Sequence, residues 1–439
     1  RGCVERCRQA QWHRIYVSSL FTWELPRTAK TIRYYKPAVA SPRDIFVGGV
    51  GATLLPEYLQ KHAECSVITG TLDRPNLLGP KSEGISRLVP DYSLLDKSDY
   101  GYSPRDCYFA KITEGCIRKC AFCAVPKLET RFGVLTEIKR HVRQVDRLFG
   151  EKQNLVVMDN NTLGIPDIEK ILTEIKGIGF ERGAKRNGRK RTVDFNQGLD
   201  ARLISRNPRL AELLGQICLS PVRLAFDRME HEKQYRRAIE LLVAQGVHEF
   251  TNYMLFNFED TPEDLYRRLM INAELNEKFK VRITGFPMRF IPMDQVTRDY
   301  VAPKWNWRLL RGIQCVLLAT RGLASPNPQF LRRAFGSTFE EFLRILSMPD
   351  RYIIYREEYE KTGETEEWRN QFDKLSERSR FEFLEILRDL HADRKRKPRI
   401  LSMRRYRKLL EHYYPGGESP STKPPEEQLA RQGISVGQC

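Results

Sequence analysis

Short apolar runs alternate with longer amphipathic stretches over most of the chain. This alternation is typical of α/β proteins, in which parallel strands are joined by right-handed helical crossovers. Close to the amino terminus the pattern predicts three strands, at 14–20, 44–49 and 65–70, and two helices, near 24–36 and 55–62. We therefore expect a small α/β domain over residues 1–75.

The alternation continues with longer units over residues 107–300, which we predict to form the central domain. The candidate strands are 108–113, 154–159, 192–197, 222–227, 250–257 and 281–287, and the candidate helices are near 134–148, 166–176, 208–215, 232–245 and 262–278. Thr261 precedes the last of these helices as an N-cap, and Pro262 occupies its first turn. Six strand–helix units predict a partial (β/α)6 barrel. A doubly wound open sheet is the alternative.

Three other regions lack this alternation. Residues 76–106 are rich in Pro, Gly, Ser and Asp and predict a linker. Residues 301–414 predict a mainly helical C-terminal region, with helices at 305–321, 329–347, 366–393 and 399–413. Residues 415–439 have the composition of a disordered tail. Because no apolar run is long enough to span a membrane, we expect a cytoplasmic protein.

The composition allows a packed core but leaves the partner open. Hydrophobic residues make up 41% of the 439 residues, which argues against wholesale disorder. Lys and Arg number 74 against 56 Asp and Glu, which gives a net charge of +18. Two basic runs, 182–191 and 394–408, carry part of this excess. A basic chain suits a polyanionic partner, but basic runs on a solvated surface explain the charge as well. The charge therefore permits a nucleic-acid partner but does not favour one.

The densest group of cysteines is Cys116-Ile-Arg-Lys-Cys120-Ala-Phe-Cys123. Three thiolates at this spacing can bind three irons of a 4Fe–4S cluster and leave the fourth iron open to another ligand. A structural zinc site normally has four protein ligands. Cys107 and His141 are the nearest candidates for a fourth ligand, so zinc remains the alternative.

The cysteines directly follow the predicted strand 108–113, at the end of a barrel strand where barrel enzymes keep their chemistry. With the aromatic Phe122 before the last cysteine, this segment resembles the radical S-adenosylmethionine superfamily. The resemblance implies a partial (β/α)6 barrel, a 4Fe–4S cluster, and reductive cleavage of S-adenosylmethionine to a 5′-deoxyadenosyl radical. It also implies an electron donor such as flavodoxin or ferredoxin.

The resemblance places further residues near S-adenosylmethionine. Phe122 would pack near the adenine, and Asp159, Asn160 and Asn161 stand where many members carry Gly-Gly-Glu for the methionine amine. Polar or backbone groups at other strand ends add Gln197, Asp200, Asn257 and Pro287 as candidate contacts. Arg202 and Arg289 are candidates for holding a carboxylate or phosphate of a substrate.

The first domain carries a second resemblance. Ser18-Ser19-Leu20 and Gly48-Gly49 end two predicted strands and resemble the Ser-x-Leu and Gly-Gly positions of cobalamin-binding domains. We therefore expect a Rossmann-like domain, truncated because the chain opens at Arg1 and not at Met. The Asp-x-His-x-x-Gly motif that supplies an axial histidine is absent. A degenerate domain that binds nothing is the alternative.

Cys3, Cys7 and Cys65 also lie in the first domain. Methylthiotransferases carry three front-domain cysteines for a second cluster, but the spacing here does not match theirs, so we expect incidental cysteines. The leading hypothesis is cobalamin-dependent methyl transfer to an unactivated carbon of an unknown substrate. The alternatives are a cobalamin-independent rearrangement, oxidation or RNA modification, and a basic nucleic-acid-binding protein with structural zinc.

Overall fold

The computed structural model describes residues 2–96, 106–392 and 404–414. The chain divides into two compact units. The first unit contains Arg1–Ala225, Lys233–Glu249 and Phe290–Tyr300. The second unit contains Phe226–Glu232, Phe250–Arg289 and Val301–Cys439.

The first unit begins with a small parallel sheet of strand order β1-β2-β3. Its strands are β1 (Ile15–Ser18), β2 (Ile45–Gly48) and β3 (Ser66–Val67), and its helices are α1 (Gly2–Gln9), α2 (Leu25–Tyr35), α3 (Val50–Leu54) and α4 (Pro56–His62). Ile45 and Val47 of β2 pack with Leu25 and Ile32 of α2 and with Leu59 of α4 in one buried cluster. The predicted strands and helices are thus confirmed, with shorter strands.

The next strands of the chain are β4 (Cys107–Ala110), β5 (Thr113–Glu114), β6 (Gly133–Val134), β7 (Asn154–Val157), β8 (Lys185–Arg186), β9 (Arg189–Lys190), β10 (Val193–Phe195) and β11 (Val222–Ala225). β10, β7 and β4 form a parallel sheet in that order, in which Leu155 of β7 stands opposite both Tyr108 and Val193. β5 and β6, and β8 and β9, form short antiparallel pairs. The parallel strands all end at the same edge, which is where ligands sit in such sheets.

The helices of this part of the chain are α5 (Ser93–Asp96), α6 (Val125–Leu128), α7 (Ile138–Phe149), α8 (Ile168–Ile175), α9 (Ala201–Arg206), α10 (Pro208–Leu214) and α11 (Glu232–Ala244). Helix α9 and the β8–β9 hairpin were not expected from the sequence pattern. The predicted linker is partly packed: Tyr92 is buried, and its hydroxyl accepts the Phe109 N–H at 2.8 Å.

The second unit contains most of β12 (Glu249–Phe256), all of β13 (Arg282–Arg289) and α12 (Pro262–Phe279). The predicted start of α12 is confirmed by a capping box, because Thr261 Oγ1 accepts the Asp264 N–H and Asp264 accepts the Thr261 N–H. The remaining helices are α13 (Trp307–Leu318), α14 (Pro328–Phe335), α15 (Phe339–Ser347), α16 (Asp350–Ile354), α17 (Arg356–Lys361), α18 (Glu364–Asp373), α19 (Glu377–Ala392) and Arg407–Tyr413.

Two predicted C-terminal helices were wrong in extent. The segment 329–347 forms two helices because Gly336 turns the chain at a φ of 95°, and a Cβ there would lie 2.7 Å from the Phe342 nitrogen. The segment 366–393 is likewise divided between α18 and α19. The predicted tail 415–439 and most of the basic run 394–408 lie outside the described residues.

A mixed α/β protein with a helical C-terminal region is confirmed. Closure of the strands into a partial barrel stays a prediction. Across the described ranges, no helix is both long enough and apolar enough to cross a membrane.

Candidate functional site

The three clustered cysteines lie in one loop, residues 116–123, which we call the cysteine loop. It follows β4 and β5 and leads directly into α6. All three thiols are partly exposed. Cys116 Sγ accepts the Arg118 backbone N–H at 3.3 Å and the Asn161 side-chain amide at 3.5 Å. Such N–H groups stabilise a thiolate, the form of cysteine that binds iron.

Within the described part of the chain, no group of three or more His, Cys, Asp or Glu side chains is arranged to hold a metal ion. The donor set nevertheless fits an iron–sulfur cluster, because three partly exposed thiols lie within eight residues and one already receives N–H donors.

The two predicted fourth ligands for zinc serve other roles. Cys107 begins β4, is fully buried, and has its pKa raised to about 11 by that burial. His141 lies on α7, where its Nε2 is 3.0 Å from the Phe109 carbonyl oxygen and burial lowers its pKa. Neither residue forms a metal-holding group with the described cysteines. Burial of Cys107 and the contact of His141 with the Phe109 carbonyl count against either residue as a fourth zinc ligand.

Glu129 holds the entrance of the cysteine loop. Its carboxylate accepts the Gly115 N–H at 2.5 Å and the Asn160 side-chain amide at 2.9 Å, and it pairs with Lys111. Gly115 has a φ of 75°, and a Cβ there would lie 2.0 Å from the Arg131 carbonyl oxygen. The sequence analysis missed Glu129. Its only signal was its position as the single acidic residue between Cys123 and Gly133.

Asp159 fixes the backbone that leads into the loop. It is 1% exposed, and its carboxylate accepts the Ile112 N–H at 2.8 Å and the Thr113 hydroxyl at 2.7 Å. Burial raises the pKa of Asp159 to about 6 although these hydrogen bonds oppose the shift. Both carboxylate oxygens are thus engaged within the protein.

Asn161 has the most suggestive environment of the three residues that follow β7. It is 4% exposed and donates to Cys116 Sγ, but its Oδ1 is buried without a hydrogen-bond partner. A buried amide oxygen without a donor costs about 1–3 kcal/mol. The N–H of a bound ligand would satisfy it.

A second network joins the cysteine loop to the end of β10. Arg118 Nε donates to Asp200 at 2.9 Å, and Arg202 donates to both Asp200 oxygens at 2.7 and 3.0 Å. Asp200 also caps α9 by accepting the Arg202 N–H at 3.0 Å. Burial acts to raise the pKa of Asp200, but the hydrogen bonds and charges of Arg202 and Arg118 outweigh it and lower the pKa.

This network contains two residues that the sequence predicted, Asp200 and Arg202, and one that it did not predict, Arg118. The Arg202 guanidinium is directed at Asp200, so its charge is balanced inside the protein. The structure therefore brings Asp200, Asn161 and the cysteine loop together, while Arg202 supports Asp200.

The other predicted residues do not belong to the hydrogen-bond network of Arg118, Asp200 and Arg202. Phe122 is partly exposed in the cysteine loop, and Gln197 is exposed and donates to Asn196 at 3.3 Å. Asn257 belongs to the second unit, where it is fully buried and accepts the Ala302 N–H at 2.8 Å. Pro287 and Arg289 lie on β13, also in the second unit.

We call the β1-β2-β3 sheet the front sheet, and its edge at Gly48 and Gly49 the glycine end. Contacts within the chain occupy this glycine end. Ser19 is buried, donates its N–H to the Gly48 carbonyl at 2.9 Å and accepts the Gly51 N–H at 2.9 Å. A Cβ on Gly49 would lie 2.6 Å from the Ser19 carbonyl oxygen, while Gly49 itself is exposed together with Ser18 and Leu20. The close approach that requires glycine is thus made by Ser19 of the chain itself, so Gly49 gives no support of its own for a bound cobalamin tail.

This end of the front sheet nevertheless lies beside the cysteine loop. Helix α3, which follows Gly49, packs against α6, which follows Cys123. Of the described side chains here, neither Cys7 on α1 nor Cys65 before β3 belongs to a metal-holding group, and burial raises the pKa of Cys65. Cys3 also belongs to α1, but its side chain lies outside the described ones.

No family model matches the chain. The chain is 25% identical over 234 residues to the ribosomal protein uS12 methylthiotransferase RimO of Ruegeria sp. (strain TM1040), a match that covers 51% of this chain and 44% of that protein. It is 28% identical over 166 residues to the protein of the same name from Akkermansia muciniphila, covering 37% and 30%. A third, from Chlorobium chlorochromatii (strain CaD3), is 26% identical over 147 residues, covering 31% and 32%. The chain thus spans less than half the length of these curated relatives, and the similarity supports a radical S-adenosylmethionine enzyme.

Proposed function

We propose that the chain is a radical S-adenosylmethionine enzyme in which Cys116, Cys120 and Cys123 hold a 4Fe–4S cluster. When bound, such a cluster supplies the electron that cleaves S-adenosylmethionine to methionine and a 5′-deoxyadenosyl radical. The observation that carries the proposal is the cysteine loop itself: three partly exposed thiols follow β4, and Cys116 Sγ receives two N–H donors. The similarity to the methylthiotransferases supports it.

The chain's own residues would prepare this site in three ways. Glu129 and Asp159 both hold residues 112–115, the backbone segment that leads into the loop, so little reorganisation is needed when ligands bind. Asn161 offers a buried carbonyl oxygen beside Cys116, which suits the ammonium group of S-adenosylmethionine. Asp200 balances the charge of Arg118 within the loop.

Methylthio transfer is the reaction class that we propose, because the relatives are named for it. The acceptor is a macromolecule or small molecule that the site does not identify. Cobalamin-dependent methyl transfer is the alternative, supported by the order of Ser18-Ser19-Leu20 and Gly48-Gly49 and by the packing of α3 on α6. Gly49 gives no support of its own to that alternative, because Ser19 makes the close approach that requires glycine.

Anaerobic reconstitution with iron and sulfide tests the main proposal. We expect about four irons per chain and formation of 5′-deoxyadenosine in the presence of a reductant such as reduced flavodoxin. The variant Cys218→Ser alters a partly exposed cysteine outside the loop, and we expect it to bind iron and to form 5′-deoxyadenosine as the unaltered chain does. Zinc in place of iron, or no 5′-deoxyadenosine from fully reconstituted protein, would contradict the proposal.

The reaction class needs a separate measurement. Mass spectrometry of an acceptor peptide or RNA pool distinguishes the gain of a methylthio group from the gain of a methyl group. Incubation with hydroxocobalamin followed by gel filtration and a visible spectrum tests corrinoid binding. Stoichiometric corrinoid together with a methylated product would favour the alternative.

A further inference from the structure

The basic run 182–191 forms a hairpin that the proposed chemistry does not use. Strands β8 and β9 pair with Lys185 opposite Lys190 and Arg186 opposite Arg189. Asn187 and Gly188 form the turn with φ values of 49° and 75°, as expected for a tight two-residue hairpin. We call residues 182–191 the basic hairpin.

The cations of the basic hairpin are only partly compensated. Arg186 lies 3.3 Å from the Glu151 carboxylate and 3.6 Å from that of Asp106, and Arg191 lies 3.1 Å from the Glu151 carboxylate. Lys185, Arg189 and Lys190 are exposed, and none forms an ion pair with any residue that the structure describes. Like charges directly opposite each other destabilise a strand pair. An external anion would relieve this repulsion.

The hairpin is nevertheless firmly attached. Gln153 is buried and donates its side-chain amide to the Arg189 and Lys190 carbonyls at 3.1 and 3.0 Å. Arg191 donates to the Lys152 carbonyl at 2.9 Å and stacks over Phe180 at 4.0 Å. The exposed cations are therefore presented on a fixed base, which lowers the entropy cost of binding a partner.

The hairpin lies at the edge of the β10-β7-β4 sheet that is opposite the cysteine loop. It immediately precedes β10, and its contacts Glu151 and Gln153 immediately precede β7. The cysteine loop follows the carboxyl end of β4, which is parallel to these strands. A partner bound at the hairpin would therefore be anchored away from the reacting groups.

The chemistry of the hairpin selects among partners. Its one apolar side chain, Ala184, is buried, and the run contains no aromatic residue. The anchors of protein interfaces are mainly Trp, Tyr and Arg in desolvated pockets, and membrane-surface segments insert apolar side chains. The exposed side chains of the hairpin are all polar or charged, so they lack the apolar part of either surface. Contacts to a phosphate backbone need only cations. Without aromatic side chains, the hairpin has no platform on which unpaired bases could stack.

We propose that the basic hairpin is a docking surface for the phosphate backbone of double-stranded RNA. Duplex RNA is recognised mainly by shape and by phosphate contacts, which a rigid set of exposed cations can supply. The choice of RNA over DNA rests on the proposed function, because the relatives are named for modifying a ribosomal protein, and ribosomes are rich in RNA duplexes.

The test compares two triple variants of the full chain. One carries Lys185→Ala, Arg189→Ala and Lys190→Ala. The control carries Arg27→Ala, Lys30→Ala and Lys61→Ala, which removes one arginine and two lysines from exposed positions on α2 and α4. Fluorescence anisotropy measures binding of a labelled RNA duplex, and of a DNA duplex of equal length, at several salt concentrations.

We expect the hairpin variant to bind RNA about tenfold or more weakly than the control. Its salt dependence should be reduced by about one unit of slope for each cation removed. Equal RNA affinity of the two variants, or tighter binding of the DNA duplex by the unaltered chain, would overturn the proposal. Formation of 5′-deoxyadenosine without RNA should be equal in both variants. If neither variant formed 5′-deoxyadenosine, the proposed function would be contradicted, whereas the difference in RNA affinity would still decide the role of the hairpin.

Discussion

The cysteine loop and the glycine end of the front sheet are both marked by short motifs, but the structure treats them differently. At the cysteine loop the motif side chains stay partly exposed, and Asn161 keeps a buried oxygen without a partner. At the glycine end, Ser19 and Gly49 are occupied by contacts with their own chain. A motif is therefore stronger support for a ligand where packing leaves its polar groups available than where packing already explains them.

The largest expected effect is at the cysteine loop. Cys120→Ala should abolish cluster assembly and 5′-deoxyadenosine formation, because two thiolates cannot replace the three that the cluster requires. Iron analysis and chromatography of the products measure both losses. Full cleavage of S-adenosylmethionine by Cys120→Ala, at the level shown by Cys218→Ser, would show that the cysteine loop does not hold the cluster.

The next effect concerns the anchoring of the loop by Asp159. Burial raises its pKa from 3.8 to about 6, so the folded state favours the protonated form. This contribution to stability is complete below pH 3.8 and is lost as the pH rises to about 6. The loss amounts to about 3 kcal/mol. Urea unfolding at several pH values between 3.8 and 6 gives the free energy of unfolding of the wild type and of Asp159→Asn. We expect this free energy to fall more steeply with rising pH in the wild type. The same pH dependence in both proteins would contradict a raised pKa of Asp159.

A smaller effect is expected at the glycine end. Gly49→Ala should destabilise the protein by about 1–3 kcal/mol, because its backbone conformation is one that glycine adopts almost exclusively. Gly150→Ala is the matched control: Gly150 has similar dihedral angles, but no atom lies within 4 Å of its Cβ position. We expect Gly49→Ala to be the more damaging in thermal unfolding, owing to the clash with Ser19. Equal effects would show that the space around Gly49 is open, as cobalamin would need.

The smallest effect is expected for Asn161→Ala. The variant removes an unpaired oxygen, which is stabilising, and the 3.5 Å hydrogen bond to Cys116 Sγ, which is destabilising, so we expect the stability to change little. The affinity for S-adenosylmethionine should fall by about tenfold if one charged hydrogen bond is lost. Calorimetry measures the affinity, and the reduction potential of the reconstituted cluster should also shift when the N–H donor to Cys116 is removed. Unchanged affinity and potential would place Asn161 outside the site.

Much of the local structure could be predicted because its causes are local. The strand Asn154–Val157 follows from an apolar run, and the capping box of α12 follows from residues three positions apart. Gly336, by contrast, divided a predicted helix at a turn packed against Phe342. Asp200, which was predicted to contact a cofactor, is the N-cap of α9.

The candidate site shows the same division. The spacing of Cys116, Cys120 and Cys123 was sufficient to indicate iron–sulfur chemistry, because thiols within one loop need no distant part of the chain to be neighbours. Glu129 and Arg118 carried no such signal, since their roles depend on Gly115, Asn160 and Asp200, which only the fold brings close.

The sequence by itself determined the alternation of strands and helices, the cysteine spacing and the charge of the basic hairpin, because each depends on residues close together in the chain. Only the tertiary structure decided that Arg118 is balanced by Asp200, that Gly49 makes room for Ser19 and that Asn161 faces Cys116. These outcomes depend on hydrogen bonds and close contacts between distant segments, which no local pattern encodes.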